Sequence, residues 1–303
     1  MDDQVFVDVL TENVMVFDGS FYKQQEINRD DAENRCASLF FPGCSFLNFA
    51  PHLMQKVYNR LFVTGAVDGI SLVCCGKMLS FEPDADTVRP AFEKQLIFSV
   101  LEHGVERIVA ACPNCVETLR EVLQADPDAA KIEVVALPQA LLEGGLRIDS
   151  EALARRDKAA AVFAVHDSCP DKTMGEFASS VRALFPQESL VETKHNRTSS
   201  FCCGSLARAA GNEKAAYHAS MRHGEEACQA GASVLVTSCL SCAHQLATAQ
   251  SDVSVCHYLE LLFNEEIDWL NMPEYMKTRF LFEELHGVRD YRGAVDVRGD
   301  DGL

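Results

Sequence analysis

Two matching stretches, Val105-Glu-Arg-Ile-Val-Ala-Ala-Cys112 and Ala232-Ser-Val-Leu-Val-Thr-Ser-Cys239, decide the fold. They begin 127 residues apart, and each is a short apolar run that ends at a cysteine. Such runs, rich in β-branched residues, are typical of buried parallel strands. The same pattern predicts four further strands, over residues 37–41, 70–73, 132–135 and 160–165.

Helical patterns separate these strands. They cover residues 51–62, 89–103, 115–124, 172–184, 206–230 and 257–264. Strands that alternate with helices predict an α/β fold built around mostly parallel sheets. Because the two halves of the chain match, we expect one small sheet flanked by helices in each half.

The cysteines repeat together with the strands. The first half contains a single cysteine, an adjacent pair followed by glycine, and a Cys-x-x-Cys pair, at Cys44, Cys74-Cys75-Gly76 and Cys112-Pro-Asn-Cys115. The second half has the same order at Cys169, Cys202-Cys203-Gly204 and Cys239-Leu-Ser-Cys242. The offsets between matching cysteines lie between 125 and 128 residues. The chain therefore contains a duplicated set of five cysteines.

The boundary between the repeats falls near residues 143–152, where glycines and polar residues interrupt the apolar pattern. We divide the chain into an N-terminal extension, a first repeat, a second repeat and a C-terminal segment, over residues 1–35, 36–146, 147–264 and 265–303. The C-terminal segment contains a predicted helix from Pro273 to His286. A tail with little apolar surface follows this helix, and we expect it to be mobile.

Composition excludes several classes of function. The 27 Lys and Arg against 45 Asp and Glu give a net charge of −18, which argues against a nucleic-acid partner. No uncharged apolar run reaches the roughly 18 residues of a membrane span, so we expect no integral membrane segment. The N-terminus lacks the basic and apolar regions of a signal peptide. We therefore expect a cytoplasmic protein, in which an odd number of cysteines, 13, stay reduced or bind metal.

Four interpretations of the repeated thiols compete. Disulfides fit neither a reducing compartment nor an odd cysteine count. Structural zinc needs four tetrahedral ligands, whereas each repeat offers five cysteines, two of them adjacent. A dithiol catalyst of the thioredoxin type needs fewer cysteines. Iron–sulfur ligation is favoured, because a cluster presents several irons over which five thiolates can be distributed. The fifth cysteine leaves two alternatives open, a rearranged cluster or a spare reactive thiol.

The position of the thiols in the fold follows from the strand pattern. Each strand run ends at a cysteine and a helical segment follows, so the thiols should gather at the carboxyl ends of the parallel strands. Helix N-termini at this edge favour thiolates. The glycines Gly76 and Gly204 allow a backbone conformation or a close approach that a Cβ would prevent.

The order Cys, Cys-Cys-Gly, Cys-x-x-Cys resembles the cysteine-rich CCG domain. Two such domains in tandem resemble the CCG-containing subunit of heterodisulfide reductase and related iron–sulfur oxidoreductase subunits. The resemblance covers roughly residues 37–264 and includes both full cysteine sets. It implies two tandem, pseudo-symmetric CCG repeats, each with a non-cubane [4Fe-4S] cluster, and an activity that reduces a disulfide substrate.

The resemblance also implies the cluster ligands. For the first cluster these are Cys44, Cys74, Cys75, Cys112 and Cys115. For the second cluster they are Cys169, Cys202, Cys203, Cys239 and Cys242. No catalytic side chain is implied beyond the clusters.

The cofactor-binding motifs that are missing from the sequence indicate which partners the protein needs. It has no ferredoxin-type Cys-x-x-Cys-x-x-Cys run, no Gly-x-Gly-x-x-Gly fingerprint for a flavin, and no nicotinamide site. We therefore expect electrons to arrive from a ferredoxin-like or flavin subunit, and the substrate to be a small disulfide or thiol. Two alternatives stay open: a non-catalytic docking or assembly subunit with structural clusters, and an electron carrier to quinone.

One histidine and three cysteines outside the two sets also bear on the site. His166, three residues before Cys169, is a candidate to donate a hydrogen bond to a cluster sulfur or to relay a proton, although a structural role fits equally. The three remaining cysteines, Cys36, Cys228 and Cys256, are interpreted as small buried hydrophobic residues.

Overall fold

The computed structural model describes residues 21–23, 35–81, 85–154, 160–250 and 252–270. Over these residues the chain forms two β-sheets flanked by helices, one sheet in each predicted repeat. The predicted α/β architecture of two tandem repeats is confirmed. The predicted helix from Pro273 to His286 and the predicted mobile tail lie outside the described residues.

The first sheet has the order β1-β3-β2-β4-β5. Its strands are β1 (Phe21–Lys23), β2 (Ser38–Phe41), β3 (Gly69–Ser71), β4 (Arg107–Ala110) and β5 (Glu133–Ala136). Strands β2 to β5 are parallel, and β1 pairs antiparallel with β3 at the edge. Strand β1 belongs to the N-terminal extension, so this extension contributes a strand to the sheet of the first repeat.

The second sheet has the order β7-β6-β8-β9, and all four strands are parallel. Its strands are β6 (Phe163–His166), β7 (Leu190–Val191), β8 (Val234–Thr237) and β9 (Ser254–His257). This order matches β3-β2-β4-β5 of the first sheet strand for strand. The duplication in the sequence is therefore a duplication of topology.

Helices connect the strands and cover both faces of each sheet. The helices before residue 147 are α1 (Cys44–Phe49), α2 (Pro51–Val63), α3 (Ala85–Glu102), α4 (Pro113–Leu123) and α5 (Leu137–Glu143). The later helices are α6 (Ser150–Ala154), α7 (Glu176–Leu184), α8 (Ser205–Ala209), α9 (Glu213–Gln229), α10 (Leu240–Ala247) and α11 (Tyr258–Phe263). No helix among these is both long and apolar enough to cross a membrane.

Two of the predicted helices need correction. The pattern over residues 206–230 is two helices, because Gly211 adopts φ +76° after α8 and the Asn212 side chain caps α9 by accepting the Ala215 amide at 3.1 Å. The pattern over residues 172–184 becomes helical only at α7, where the Asp171 carboxylate accepts two backbone amides of the first turn. In both cases a polar side chain accepts backbone amides of the first helical turn and so fixes where the helix begins. The apolar periodicity of the sequence does not show this start.

The two repeats pack on each other reciprocally. Helix α5, which follows the last strand of the first repeat, packs on α7 of the second repeat. Helix α11, which follows the last strand of the second repeat, packs on α2 of the first. The apolar core is continuous across this contact, since Leu119 and Leu235 belong to one buried cluster and Tyr58 and Tyr258 to another. The repeats are thus related by a pseudo-twofold arrangement.

Candidate metal centre

The end of each central strand brings a cysteine to the edge where the repeats meet. Strand β4 ends two residues before Cys112, and Cys112 is the N-cap of α4. Strand β8 ends two residues before Cys239, and Cys239 is the N-cap of α10. Both cysteines are less than one-tenth exposed. The strand-to-helix turn therefore places each thiol at a helix N-terminus, where the helix dipole favours a thiolate.

The single cysteine of each repeat reaches the same edge from the first strand of its repeat. Cys44 is the first residue of α1, three residues after β2, and Cys169 begins a 3₁₀ turn three residues after β6. Helix α10 packs on α1, and α4 packs on the turn at Cys169. The Cys-x-x-Cys helix of each repeat thus lies against the single-cysteine segment of the other.

All ten cysteines of the two sets line one cavity of about 170 Å³ between the repeats. Their neighbours along this cavity include Ser45, Asn114, Ser168 and Ser241. The hydroxyl groups of Ser45 and Ser241 are 3.0 Å apart and form a hydrogen bond between the repeats. The sequence predicted one set of five thiols for each repeat. In the structure the two sets lie side by side in the same cavity.

The thiols form a continuous chain of neighbours. In order, the neighbours are Cys44, Cys74, Cys75, Cys115, Cys112, Cys239, Cys242, Cys203, Cys202 and Cys169. The order of the second half mirrors that of the first. The midpoint, between Cys112 and Cys239, is the point at which the pseudo-twofold relates the two sets.

This crowding shifts the acidity of the thiols. Cys75, Cys112 and Cys202 accept hydrogen bonds from neighbouring thiols, which lowers the pKa of each, for Cys202 to about 2. The donors are held protonated, so the pKa is raised for Cys74, Cys115, Cys169, Cys239 and Cys242. A bound metal ion would lower the pKa of every thiol that it binds and would deprotonate these ligands.

Backbone amides support the two adjacent cysteine pairs in the same way. The amide of Gly76 donates to Cys74 Sγ and the amide of Gly204 donates to Cys202 Sγ, both at 3.4 Å. Both glycines have positive φ, +80° and +106°, as the prediction of a special backbone conformation requires. A Cβ on Gly204 would lie 2.6 Å from the carbonyl oxygen of Ala216, so helix α9 approaches the loop too closely for a larger residue.

A third glycine was missed in the sequence analysis. Gly43, directly before Cys44, has φ +77°, and a Cβ there would lie 2.7 Å from Cys115 Sγ. The Phe-Pro-Gly-Cys segment contained the signal, since a glycine beside a ligand cysteine is the same feature that marked Gly76 and Gly204. The backbone at Gly43 thus approaches Cys115 Sγ too closely for a residue with a Cβ.

Access to the cavity is unequal for the two sets. In the first set Cys44 is partly exposed and the other four cysteines are buried. In the second set Cys169 is exposed and Cys202 is partly exposed. The cavity therefore opens to solvent at the second repeat. Leu206, which lines the cavity there, is 49% exposed.

His166 lies against the second set. It is the last residue of β6, is 3% exposed, and has a ring nitrogen within 4.8 Å of both Cys203 Sγ and Cys242 Sγ. Both ring nitrogens are buried without a hydrogen-bond partner among the described residues. Burial lowers the pKa of His166 to about 4, so its imidazole is neutral near pH 7.

The cysteines outside the two sets do not line the cavity. Cys36 is fully buried, as the sequence analysis expected, and Cys256 is partly exposed. Cys228 is exposed, so its interpretation as a buried hydrophobic residue is wrong. It lies near the end of α9, on a helix face that the apolar pattern did not distinguish.

The residues present fit an iron–sulfur group. Ten thiols in one cavity exceed what structural zinc sites use, and their crowding matches a group that distributes many thiolates over several metal ions. The ring nitrogens of His166, which have no partner among the described residues, offer a further donor beside the second set. The ten cysteines are the side chains that would hold such a group.

Comparison with known proteins identifies the repeats. A family model described as the CCG cysteine-rich domain matches residues 38–120 and 163–247, which together make up more than half of the chain. Each match begins at the first parallel strand of a repeat and ends in or just after the Cys-x-x-Cys helix. No curated protein sequence matches the chain.

Two solved structures show a distant likeness. Glutamate racemase isoform RacE1 from Bacillus anthracis has a TM-score of 0.33 and 11% sequence identity, with 74% of this chain and 77% of the racemase covered. The aspartate racemase homologue PH1733 from Pyrococcus horikoshii OT3 has a TM-score of 0.30 and 13% identity, with 75% of this chain and 96% of that protein covered. At these TM-scores the likeness supports no argument about function.

Proposed function

Because this chain belongs to the CCG cysteine-rich domain family, we propose that it is an iron–sulfur redox subunit that binds two [4Fe-4S] clusters. One cluster is held by each set of five cysteines, and the five-cysteine sets favour a non-cubane form. When bound, such clusters accept and release single electrons. The subunit works within a larger oxidoreductase, in which a ferredoxin-like or flavin subunit supplies the electrons.

The observation that supports this proposal is the continuous chain of ten thiols in one cavity. A structural zinc site needs four ligands and gains nothing from two adjacent sets of five. The contact between Cys112 and Cys239 brings the inner ends of the two sets together. Two redox groups so close together suit the two-electron chemistry of a disulfide substrate.

In this proposal the residues around the cavity have different roles. Buried side chains around the first set, such as Phe41 and Phe92, exclude water from it. The opening beside Cys169 admits a small molecule to the second set. Lys77, at the cavity, pairs with Glu117 at 3.0 Å, and Lys172, near Cys169, donates to the Ser200 carbonyl at 3.1 Å. These lysines stabilise the loops at the cavity and leave recognition of the substrate to its sulfur atoms.

The reaction that fits this arrangement is reduction of a disulfide. Two electrons and two protons convert the disulfide into two thiols, and the partner subunit is the source of the electrons. The alternative role within the same proposal is relay of electrons to another acceptor without thiol chemistry. The solvent opening at Cys169 favours the reductase role, because a relay needs no entry for a small molecule.

A stoichiometric reduction experiment separates the two roles. Protein with loaded clusters is reduced without oxygen, freed of excess reductant, and mixed with 2-hydroxyethyl disulfide while the cluster absorbance and the free thiols are recorded. We expect the clusters to be reoxidised as two small-molecule thiols appear for every two electrons lost. The C228S variant, which removes an exposed cysteine away from the cavity, serves as the control and should behave like the unmodified protein.

Clusters that stay reduced in the presence of the disulfide, yet are reoxidised at once by a one-electron acceptor such as ferricyanide, would contradict the reductase role. That result would assign the protein to electron relay.

A further inference from the structure

His166 lies beside the second cysteine set, and both of its ring nitrogens lack a hydrogen-bond partner among the described residues. The side chain is buried, with 3% of its surface exposed. A buried polar group without a partner destabilises the folded protein, because it has lost its hydrogen bonds to water. Such a group in an otherwise well-packed protein indicates that a bound ligand supplies the missing partner.

The geometry identifies where that ligand lies. One ring nitrogen of His166, Cys203 Sγ and Cys242 Sγ all lie within 4.8 Å of one another. Three donor atoms at this spacing can bind the same metal ion. Cys203 and Cys242 are also neighbours in the thiol chain, so His166 adds a nitrogen to a pair of sulfur donors that already meet.

The surrounding side chains hold the imidazole in place without competing for its nitrogens. The ring of His223 contacts His166 edge-on, with 4.4 Å between centroids, and stacks on Phe201 at 3.9 Å. The guanidinium of Arg222 covers the Phe201 ring at 4.2 Å. The ring is therefore held in position beside the two sulfur atoms.

The first repeat has no counterpart of this histidine. His166 ends β6 three residues before Cys169, and the residue that ends β2 three residues before Cys44 is Phe41. Phe41 is buried in the apolar cluster that surrounds the first set. The position that holds an imidazole beside the second set thus holds a phenyl ring in the first repeat.

We propose that His166 is a nitrogen ligand of the iron–sulfur cluster held by the second cysteine set, bound to the iron atom that Cys203 and Cys242 also approach. The proposal rests on the proposed function, because it requires a cluster in the second set. It makes the two clusters chemically different. Imidazole ligation in place of thiolate raises the reduction potential of an iron–sulfur cluster, so exchange of His166 for cysteine should lower the potential of the second cluster.

The direct test is detection of the iron–nitrogen bond. Full-length protein is produced with ¹⁵N-labelled histidine, loaded with iron and sulfide without oxygen, and assayed for both elements. The second cluster is then brought to a paramagnetic state and studied by electron–nuclear double resonance. We expect a strong ¹⁵N coupling, of the kind given by a nitrogen bonded to iron. The coupling should be absent in the H166N variant and retained in the H244N variant, which removes a half-buried histidine of α10 that stacks on Phe49.

A second variant guards against misfolding. H166C offers a sulfur donor in place of the nitrogen, so it should keep the full iron and sulfide content. It should lose the ¹⁵N coupling and shift the midpoint potential of the second cluster to a more negative value, while that of the first cluster stays unchanged. A purely structural histidine would leave both potentials where they are.

The outcomes distinguish this inference from the function on which it rests. Full iron and sulfide content without a ¹⁵N coupling, or with only the weak coupling of a hydrogen-bonded nitrogen, would overturn the ligand role of His166 and leave the proposed function intact. A coupling that persists in H166N would overturn it as well. Protein that takes up neither iron nor sulfide would overturn both.

Discussion

Each cysteine of one set has a counterpart at the same position in the other set. The effect of a substitution in one repeat can therefore be compared with the effect of the same substitution in the other repeat. Cys75 and Cys203 hold the same place in the thiol chain, the third from its respective end, and both are buried. Each contacts two thiols of its own set and none of the other. Removal of one thiol should therefore disturb one set.

The first prediction concerns these two cysteines. We expect C75S and C203S each to lower the iron content by about half, from about eight to about four atoms per chain, because serine is a poor ligand for iron and the other set stays intact. C228S should keep the full content. Iron and acid-labile sulfide analysis of protein purified without oxygen measures the effect. Unchanged iron in both C75S and C203S would refute the ligand assignment.

The second prediction concerns the glycine after the second cysteine pair. Gly204 and Gly211 both have positive φ, which costs a substituted residue about 1–2 kcal/mol. A Cβ on Gly204 meets the backbone of Ala216, whereas a Cβ on Gly211 meets nothing within 4 Å. We expect G204A to lower the free energy of unfolding by about 1–3 kcal/mol more than G211A does, because helix α9 must move. Urea denaturation of the metal-free protein compares the two, and equal effects would mean that the close approach of α9 is unimportant.

These residues show which parts of the site the sequence could reveal. The ten cysteines and the glycines of the two Cys-Cys-Gly motifs were predicted, because the chain repeats them at nearly constant spacing. The close approach of Gly43 to Cys115 was not predicted, and neither was the lack of a partner for the His166 ring among the described residues, since neither feature repeats. The sequence singled out His166 only by its position three residues before Cys169.

At the scale of secondary structure, a buried ion pair anchors the end of strand β6 beside the second site. Asp167, between His166 and Ser168, accepts two hydrogen bonds from the Arg182 guanidinium of α7, at 2.6 and 2.9 Å. It also accepts the backbone amide of Arg197 at 2.6 Å. The carboxylate therefore ties the strand end to a helix and to the loop that leads to Cys202.

The third prediction follows from this buried ion pair. The side chains of Arg182 and Asp167 are 7% and 2% exposed. We expect R182M to lower the free energy of unfolding by about 3–5 kcal/mol, because it leaves the Asp167 carboxylate buried and without its counterion. R89M, which removes the more exposed pairs with Glu93 and Glu121, should cost at most about 1 kcal/mol. Chemical denaturation measures both variants, and a small effect of R182M would show that solvent or another cation replaces the arginine.

The elements themselves were predictable to different degrees. Strands β2, β4, β5, β6 and β8 agree with predicted apolar runs, because most of their residues are apolar and buried. Strand β7 has only two residues, both partly exposed, and β9 contains polar residues, so neither gives such a run. Helices α1, α5 and α6 were missed because five to seven residues are too few to show a helical period.

At the scale of the whole molecule, the reciprocal packing of the repeats determines the site. Neither the pairing of α5 with α7 nor that of α11 with α2 can be deduced from a repeat considered alone. The hydrogen bond between Ser45 and Ser241 joins residues 196 positions apart. The sequence predicted two separate sites at two sheet edges, whereas the contact between the repeats combines them in one cavity.

We propose that this cavity binds two four-iron clusters. The number of iron and sulfide ions bound per chain decides whether it does. Iron and acid-labile sulfide are counted per chain, with electron paramagnetic resonance, on full-length protein purified and reconstituted without oxygen. We expect about eight irons with an equal amount of sulfide, together with a signal from reduced clusters. Zinc without sulfide, bound at the same cysteines, would contradict the proposal and would leave a duplicated scaffold stabilised by metal.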